Sequence, residues 1–254
     1  MRPWVWAVIV FTAWTAVKVP WEMRLARERS LLMYGTEVPM SFQMRDQLGQ
    51  GLTIAALGGF RGIAANFLWL SVTTAWEDRQ WVRLRSLAEM VVILQPRVSF
   101  FWENAGWHMA YNASVAAEQF NQEDRGKNNV ESRRWIMQGI ELYERGIQAL
   151  PDQHKLYEML ALVYQQRLGD YAKAAHYYQV ASQKNGAPVY LERFVGFSLE
   201  KAGKDREAYD YWVKLWQSAG EHGPGPRRWK MIEEHIRKLE NKLNIPLDKR
   251  LFVN

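Results

Sequence analysis

The sequence predicts an all-α protein built as an array of stacked helical hairpins, and three observations predict it. A set of positions returns after 34 residues: Gly169, Ala174 and Tyr178 as Gly203, Ala208 and Trp212. Small and aromatic residues recur at helical spacing between these positions. Proline stands where second helices should end, at Pro96, Pro151 and Pro188. A hairpin of this length cannot bury its apolar side alone, so it stacks on its neighbours.

The array is expected over residues 61–222. Its four units are 65–98, 99–153, 154–188 and 189–222. Small residues allow the two helices of a hairpin to approach closely, and aromatic rings fill the space beside them. The third unit carries the pattern most fully, and the first unit carries only its apolar positions.

These residues give the chain a resemblance to the tetratricopeptide repeat family. The residues are Tyr157, Leu160, Ala161 and Tyr164, then Ala174, Tyr178 and Ala181, with Trp102, Ala105, Gly106 and Met109 upstream. The resemblance implies a right-handed superhelical array whose concave groove is lined by the first helix of each unit.

The chain also resembles bacterial membrane-anchored repeat proteins of unknown function. The similar runs are 58–70, 107–112 and 139–142. This second resemblance implies a bacterial, membrane-attached protein and supplies no activity.

The second unit contains a polar insertion at 116–131, between a first helix at 99–115 and a second helix at 132–150. Loops of this length are often functional. The alternative is a solvated excursion on an extended helix.

Residues 1–34 form a different region, and 4–17 carry no charge. This run is shorter than the roughly 20 residues that span a bilayer and is closer to a signal peptide. No pair of small residues marks a cleavage site, so we expect an uncleaved, single-pass membrane anchor. The alternative is an apolar helix packed on a partner or on the repeats.

The side of the membrane depends on two opposing signals. Arg24, Arg27 and Arg29 follow the anchor and favour cytoplasmic repeats. The short, signal-like apolar run favours export. We expect an anchor in the bacterial inner membrane with the repeats on the extracytoplasmic side.

Residues 35–60 connect the anchor to the array. Ser41 can cap a helix over 42–57, which the glycines at 58 and 59 end. Small residues in this helix suit close packing against the first unit. Arg61 lies in the middle of 52–70, so that stretch is not expected to be a second membrane span.

Residues 223–254 are expected to cap the array. Two Gly-Pro pairs at 223–226 break the repeat, and a charged helix follows at 227–243. One stripe of this helix is apolar: Trp229, Ile232, Ile236 and Leu239. A terminal helix with a polar outer side keeps an array soluble. The alternative is that its basic side rests on anionic lipid.

The positions of the first helices that do not face the hairpin interior should line the groove. They are Asn66, Trp69, Trp76, Glu103, Trp107, Tyr111, Glu158, Arg193 and Phe197. Aromatic residues predominate in the first half, and the second half is mixed. Such a groove suits a peptide or a helix of a partner protein. The alternative is that the helix 42–57 or the anchor fills it.

Catalytic and cofactor-binding patterns are missing from the sequence. No two of the five histidines have the i, i+4 spacing of a helical metal site, and the chain has no cysteine. No phosphate-binding glycine loop or nucleophile elbow is present. The net charge is +6, but basic and acidic residues are mixed along the helices. This distribution does not indicate nucleic-acid binding.

These observations predict a membrane-tethered scaffold for protein–protein interaction, with no enzymatic activity, metal or cofactor. The alternative is an obligate subunit of a larger bacterial membrane complex of the transport, secretion or pilus type.

Overall fold

The computed structural model describes residues 59–120, 129–218 and 226–252. These residues form nine α-helices and no β-strand. The protein is therefore all-α over this part of the chain, as the sequence predicts. The expected anchor at 4–17 and the expected connector helix at 42–57 lie outside the described residues.

The helices are labelled here in chain order. α1 is Arg61–Glu77, α2 Trp81–Leu94, α3 runs from Ser99 to Phe120, α4 is Val130–Ala149, α5 runs from His154 to Leu168, α6 is Tyr171–Ser182, α7 Tyr190–Lys201, α8 Asp205–Ser218 and α9 Pro226–Lys242. A 3₁₀ turn, Leu247–Lys249, follows α9.

Two of the long helices contain a π-helical turn. α3 consists of Ser99–Trp107, the π turn His108–Ala113 and Ser114–Phe120. α5 consists of His154–Leu162 and the π turn Val163–Leu168. Such turns often occur at functional sites.

Each helix packs mainly on the helices next to it in the chain. The pairs α1–α2, α3–α4, α5–α6 and α7–α8 are hairpins, and α9 packs on α8. The second helix of each hairpin also contacts the first helix of the next, and α3 contacts α5. Contacts that link only neighbouring units are typical of stacked repeats.

Glycines bring the two helices of a hairpin together. A Cβ atom on Gly106 of α3 would lie 2.5 Å from the ring of Tyr143 on α4, and one on Gly196 of α7 would lie closer still to Trp212 on α8. Both rings are fully buried. The pairing of a small residue with an aromatic ring therefore sets the spacing within these two hairpins.

The first hairpin reverses this pairing. Val72 and Ala88 have the same 16-residue separation as Gly196 and Trp212. Here the larger residue lies on the first helix and the smaller on the second, and both are fully buried. The first hairpin therefore has two aliphatic residues at the positions where the last hairpin has glycine and tryptophan.

The predicted insertion at 116–131 is helical at both ends. α3 continues to Phe120, and α4 begins at Val130, where the Asn129 side chain accepts hydrogen bonds from the backbone N–H groups of Glu131 and Ser132 at 2.8 and 3.2 Å. The Ser132 hydroxyl donates to the Glu118 carboxylate at 2.8 Å. Polar residues interrupt the apolar pattern because they bond across the hairpin, and residues 121–128 lie outside the described part.

Buried apolar residues form two clusters. The larger runs from α1 to α7, and the smaller joins α8 to α9 through Tyr209, Trp212, Ile232 and Ile236. Among the described helices, none has the length and apolar character needed to cross a membrane.

Candidate functional site

Five of the aromatic residues on α1 and α3 form the candidate site, which we call the aromatic face. They are Trp69, Trp76, Phe100, Trp107 and Tyr111. Trp69 on α1 packs against Phe100 and Phe101 of α3, with ring centroids 5.4 and 5.2 Å apart. Trp69 is therefore half-buried and joins the two first helices, while Phe100 stays half exposed to solvent.

Trp76 lies two turns further along α1 and is 43% exposed. Its ring is 5.8 Å from that of His108, at the start of the π turn in α3. The Asn112 side-chain amide lies 2.8 Å from Nδ1 of His108 and donates to it. Burial lowers the pKa of His108, so the imidazole is neutral at pH 7 and presents an uncharged surface next to the indole.

Trp107 and Tyr111 are neighbours on α3, one turn apart. Their rings stack with centroids 4.0 Å apart and planes 18° apart, and Trp107 is 38% exposed. The Tyr111 hydroxyl donates to Oε1 of Gln166 on α5 at 3.1 Å. Burial raises the pKa of Tyr111 to about 12 despite the opposing charge of Arg167, so the phenol stays neutral.

A buried polar network fixes α3 against α5 behind these rings. Arg167 in the π turn of α5 donates from Nε to the Ala110 carbonyl at 3.2 Å and from an Nη to the Ser114 hydroxyl at 3.1 Å. The same guanidinium forms an ion pair with Glu118. Both charged groups are largely removed from solvent, so the energetic penalty of separating them is high.

The network was not predicted from the sequence. Its members lie on both π turns, and the carbonyl of Ala110 accepts from Arg167 and also from Ser114, at 2.6 Å. A signal was available: Ser114, Glu118 and Ser132 interrupt apolar positions near the end of one hairpin. From the sequence alone, Glu118 falls in the predicted insertion, and Ser114 and Ser132 fall at the ends of the two predicted helices beside it.

The second half of the predicted groove contains the charged residues Glu158 and Arg193 as well as Phe197. Glu158 on α5 is buried and accepts hydrogen bonds from Lys155 at 3.1 Å and from the Tyr190 hydroxyl on α7 at 2.9 Å. Arg193 on α7 is half-buried. Burial raises the pKa of Tyr178, so its hydroxyl is also neutral. Glu158 is thus held by hydrogen bonds to its neighbours. The exposed surface of this half of the groove combines charged and apolar side chains.

Three further predicted residues have other surroundings. Asn66 is exposed on α1. Glu103 is half-buried on α3, where its backbone carbonyl accepts from the Tyr143 hydroxyl at 3.1 Å. Phe197 packs its ring on Trp212 and on His235 of α9, with centroids 5.4 and 5.1 Å apart.

The structure therefore places Trp69 and Trp76 of α1 against rings of α3, stacks Trp107 on Tyr111 along α3, and packs Phe197 against the C-terminal helix. Among the described residues, no group of three or more histidine, aspartate or glutamate side chains could hold a metal ion. No protein-family model matches the chain, and no curated protein matches it.

Proposed function

We propose that the protein is a membrane-tethered scaffold that recruits a partner protein through the aromatic face of α1 and α3. The observation that carries this proposal is the exposure of three large rings on two adjoining helices: Trp76, Phe100 and Trp107 are between 38 and 50% exposed. The few residues that dominate the binding energy at protein interfaces are enriched in tryptophan, tyrosine and arginine.

The surroundings of these rings suit an interface. A contiguous patch of exposed apolar side chains marks a surface that another molecule covers. The stacking of Trp107 on Tyr111, the bond from Tyr111 to Gln166 and the Arg167 network restrict movement of the rings before a partner arrives. A pre-ordered surface loses less conformational entropy on binding.

The chemistry of the face selects the kind of partner. His108 is neutral at pH 7 because burial lowers its pKa, and Tyr111 is neutral because its pKa of about 12 lies far above 7. The face therefore offers apolar rings and few charges. An amphipathic helix or an extended peptide with large apolar side chains is the partner that fits such a surface.

The finer architecture belongs to the same proposal. The hairpins are proposed to form a right-handed tetratricopeptide superhelix whose concave side carries the aromatic face. Residues 4–17 are proposed to anchor the chain in the bacterial inner membrane, with the array on the extracytoplasmic side. Neighbour-only helix contacts and the glycine–aromatic pairs support the repeat assignment.

The test is photo-crosslinking in membranes with a photoreactive phenylalanine analogue in place of Phe100. We expect a crosslinked partner with the native face, and at least a tenfold weaker crosslink when Trp76→Ala and Trp107→Ala are combined. The control is Val130→Ala with Met137→Ala, since both side chains are exposed apolar residues on α4. Helix content measured by circular dichroism must be equal in both variants. An unchanged crosslink in the folded Trp76/Trp107 double variant refutes the proposal.

A further inference from the structure

α1 carries a second apolar surface, separate from the aromatic face. Ile63, Phe67 and Leu70 are spaced by four and three residues and form one stripe of the helix. They are 53, 69 and 64% exposed. We call this surface the α1 stripe. At 100° per residue it lies roughly 130° around the helix from Trp69 and Trp76.

The position of Phe67 is buried in every other hairpin. Phe67 precedes by five residues the Val72 position, which Gly106, Ala161 and Gly196 occupy in the later units. The residues five before those are Phe101, Leu156 and Leu191. They are 7, 0 and 0% exposed. Among the described hairpins, the side chain at this position is thus exposed to solvent only on α1.

The difference has a structural cause. α3, α5 and α7 each follow a second helix that packs on them, namely α2, α4 and α6. α1 is the first described helix, and no described helix precedes it. The α1 stripe therefore has the composition of a surface that receives a preceding second helix.

We propose that residues 42–57 of this chain form that helix and cover the α1 stripe. Fifty-eight residues precede the described part, so the segment is attached directly to the end of α1 that carries Ile63. Apolar residues in the segment recur at intervals of three and four as Met44, Leu48, Leu52 and Ala55. A 16-residue helix is about 24 Å long, close to the roughly 26 Å of α1.

The chain geometry before α1 agrees with a tight reversal. Gly59 has φ +80°, a left-handed conformation that terminates helices. Gly186, with φ +70°, lies at the junction between α6 and α7, which are a second helix and the first helix that follows it. The junction before α1 therefore has the same kind of glycine as a junction that joins two packed helices.

In this position, residues 42–57 do not occupy the groove that a partner would use. A helix on the α1 stripe lies away from Trp69 and Trp76, so it completes the first unit and leaves the aromatic face free for a partner. The inference does not depend on the proposed function: it concerns the α1 stripe, and its test has a separate readout.

The absence of cysteine in the chain makes disulfide trapping the direct test. A tight reversal at 58–59 places Leu52 opposite Phe67. We expect Leu52→Cys with Phe67→Cys to form an intramolecular disulfide in full-length protein in membranes, giving at least a tenfold loss of labelling by a thiol-reactive mass tag. The control pair, Leu52→Cys with Trp76→Cys, should remain labelled.

Other outcomes overturn the proposal. A disulfide-linked dimer of the Leu52/Phe67 variant would show that a second copy of the chain covers the α1 stripe. Full labelling of both cysteine pairs would show that residues 42–57 do not cover the stripe and that another protein does. Hydrogen exchange gives a second measure that requires no engineered bond. Leu48→Ser with Leu52→Ser should accelerate exchange of the α1 amides at least tenfold without affecting α5–α8.

The matched control for exchange is Asp46→Ser with Thr53→Ser, which lie on the other side of the same predicted helix. These changes should leave α1 unaffected. Equal exchange of α1 in the two double variants refutes the proposal. The photo-crosslink from position 100 should persist in both, which separates this result from a failure of the proposed function.

Discussion

The two ends of the helical stack differ in how their apolar surfaces are covered. At the C-terminal end, α9 lies on α8 and buries Ile232, Ile236 and Leu239 almost completely. At the N-terminal end, α1 leaves Phe67 and Leu70 more than half exposed. Within the described residues, the apolar surface of the stack is therefore covered at the C-terminal end and exposed at the N-terminal end.

Charged side chains hold the closed end. Glu200 on α7 accepts hydrogen bonds from His235, from Lys238 at 2.9 Å and from the Trp212 indole at 2.9 Å. Lys242 forms an ion pair with Asp205 at 2.7 Å. Burial alone would raise the pKa of Glu200, but these hydrogen bonds and the charge of His235 hold it at about 2.

The largest effect should come from truncation at the closed end. Ile236→Ala removes a fully buried side chain between α8 and α9 and should cost about 3 kcal/mol, because the transfer energy and a cavity both contribute. Urea unfolding followed by circular dichroism measures this. Val82→Ala is the control at an exposed apolar position and should change stability by less than about 0.5 kcal/mol. Equal midpoints for the two variants would contradict the burial of α9.

The next prediction concerns the solvent exposure of the α1 stripe at the N-terminal end. If residues 42–57 cover the α1 stripe, Phe67→Ala in the full chain should cost about 2 kcal/mol, the range for burying an aromatic side chain. An uncovered end predicts a loss below about 0.5 kcal/mol. Unfolding midpoints of the full-length protein distinguish the two values.

Acid should weaken the closed end selectively. The pKa of Glu200 is about 2 in the folded protein, against 4.5 for an unperturbed glutamate, so its stabilisation is present above pH 4.5 and disappears as the pH falls towards 2. We expect a loss on the order of 1–2 kcal/mol, reduced by solvent screening. Hydrogen exchange of α9 amides at pH 6 and pH 3 measures it. Glu200→Gln should abolish the part of the pH dependence that is specific to α9.

The smallest effect on stability should come from the aromatic face. Trp107 stacks on Tyr111 at the surface, and its repeat equivalents include Thr73 and Leu162, neither of which is fully buried. Trp107→Ala should therefore cost less than about 1 kcal/mol, within the range of a single aromatic pair. A thermal midpoint lowered as far as that of Ile236→Ala would show that Trp107 belongs to the core.

The periodic features of the fold could be predicted from the sequence. Helix order, the small residues opposite aromatic rings and the apolar stripe of α9 follow from spacing alone, because each depends on contacts between neighbouring helices. The all-α class is confirmed. The tetratricopeptide assignment, the membrane anchor and partner binding remain predictions.

Features that depend on distant contacts could not be predicted. The Arg167 network requires α3 and α5 to be side by side, although Ala110 and Arg167 are 57 residues apart. Phe197 has the spacing of a groove residue, but α9 folds back and brings His235 against its ring. Periodicity assigns a residue to a side of its helix and does not show what later packs there.

The second hairpin is the longest of the four. α3 extends over 22 residues from Ser99 to Phe120, whereas the corresponding helix α5 has 15. The difference corresponds to about 10 Å of helix. The hydrogen bonds that link Ser132 to Glu118 and Asn129 to the Ala117 carbonyl brace the protruding end. The end of this hairpin therefore protrudes about two helical turns beyond α5 and α6. Another molecule that docks along this edge contacts the protruding end before it can reach α5 and α6.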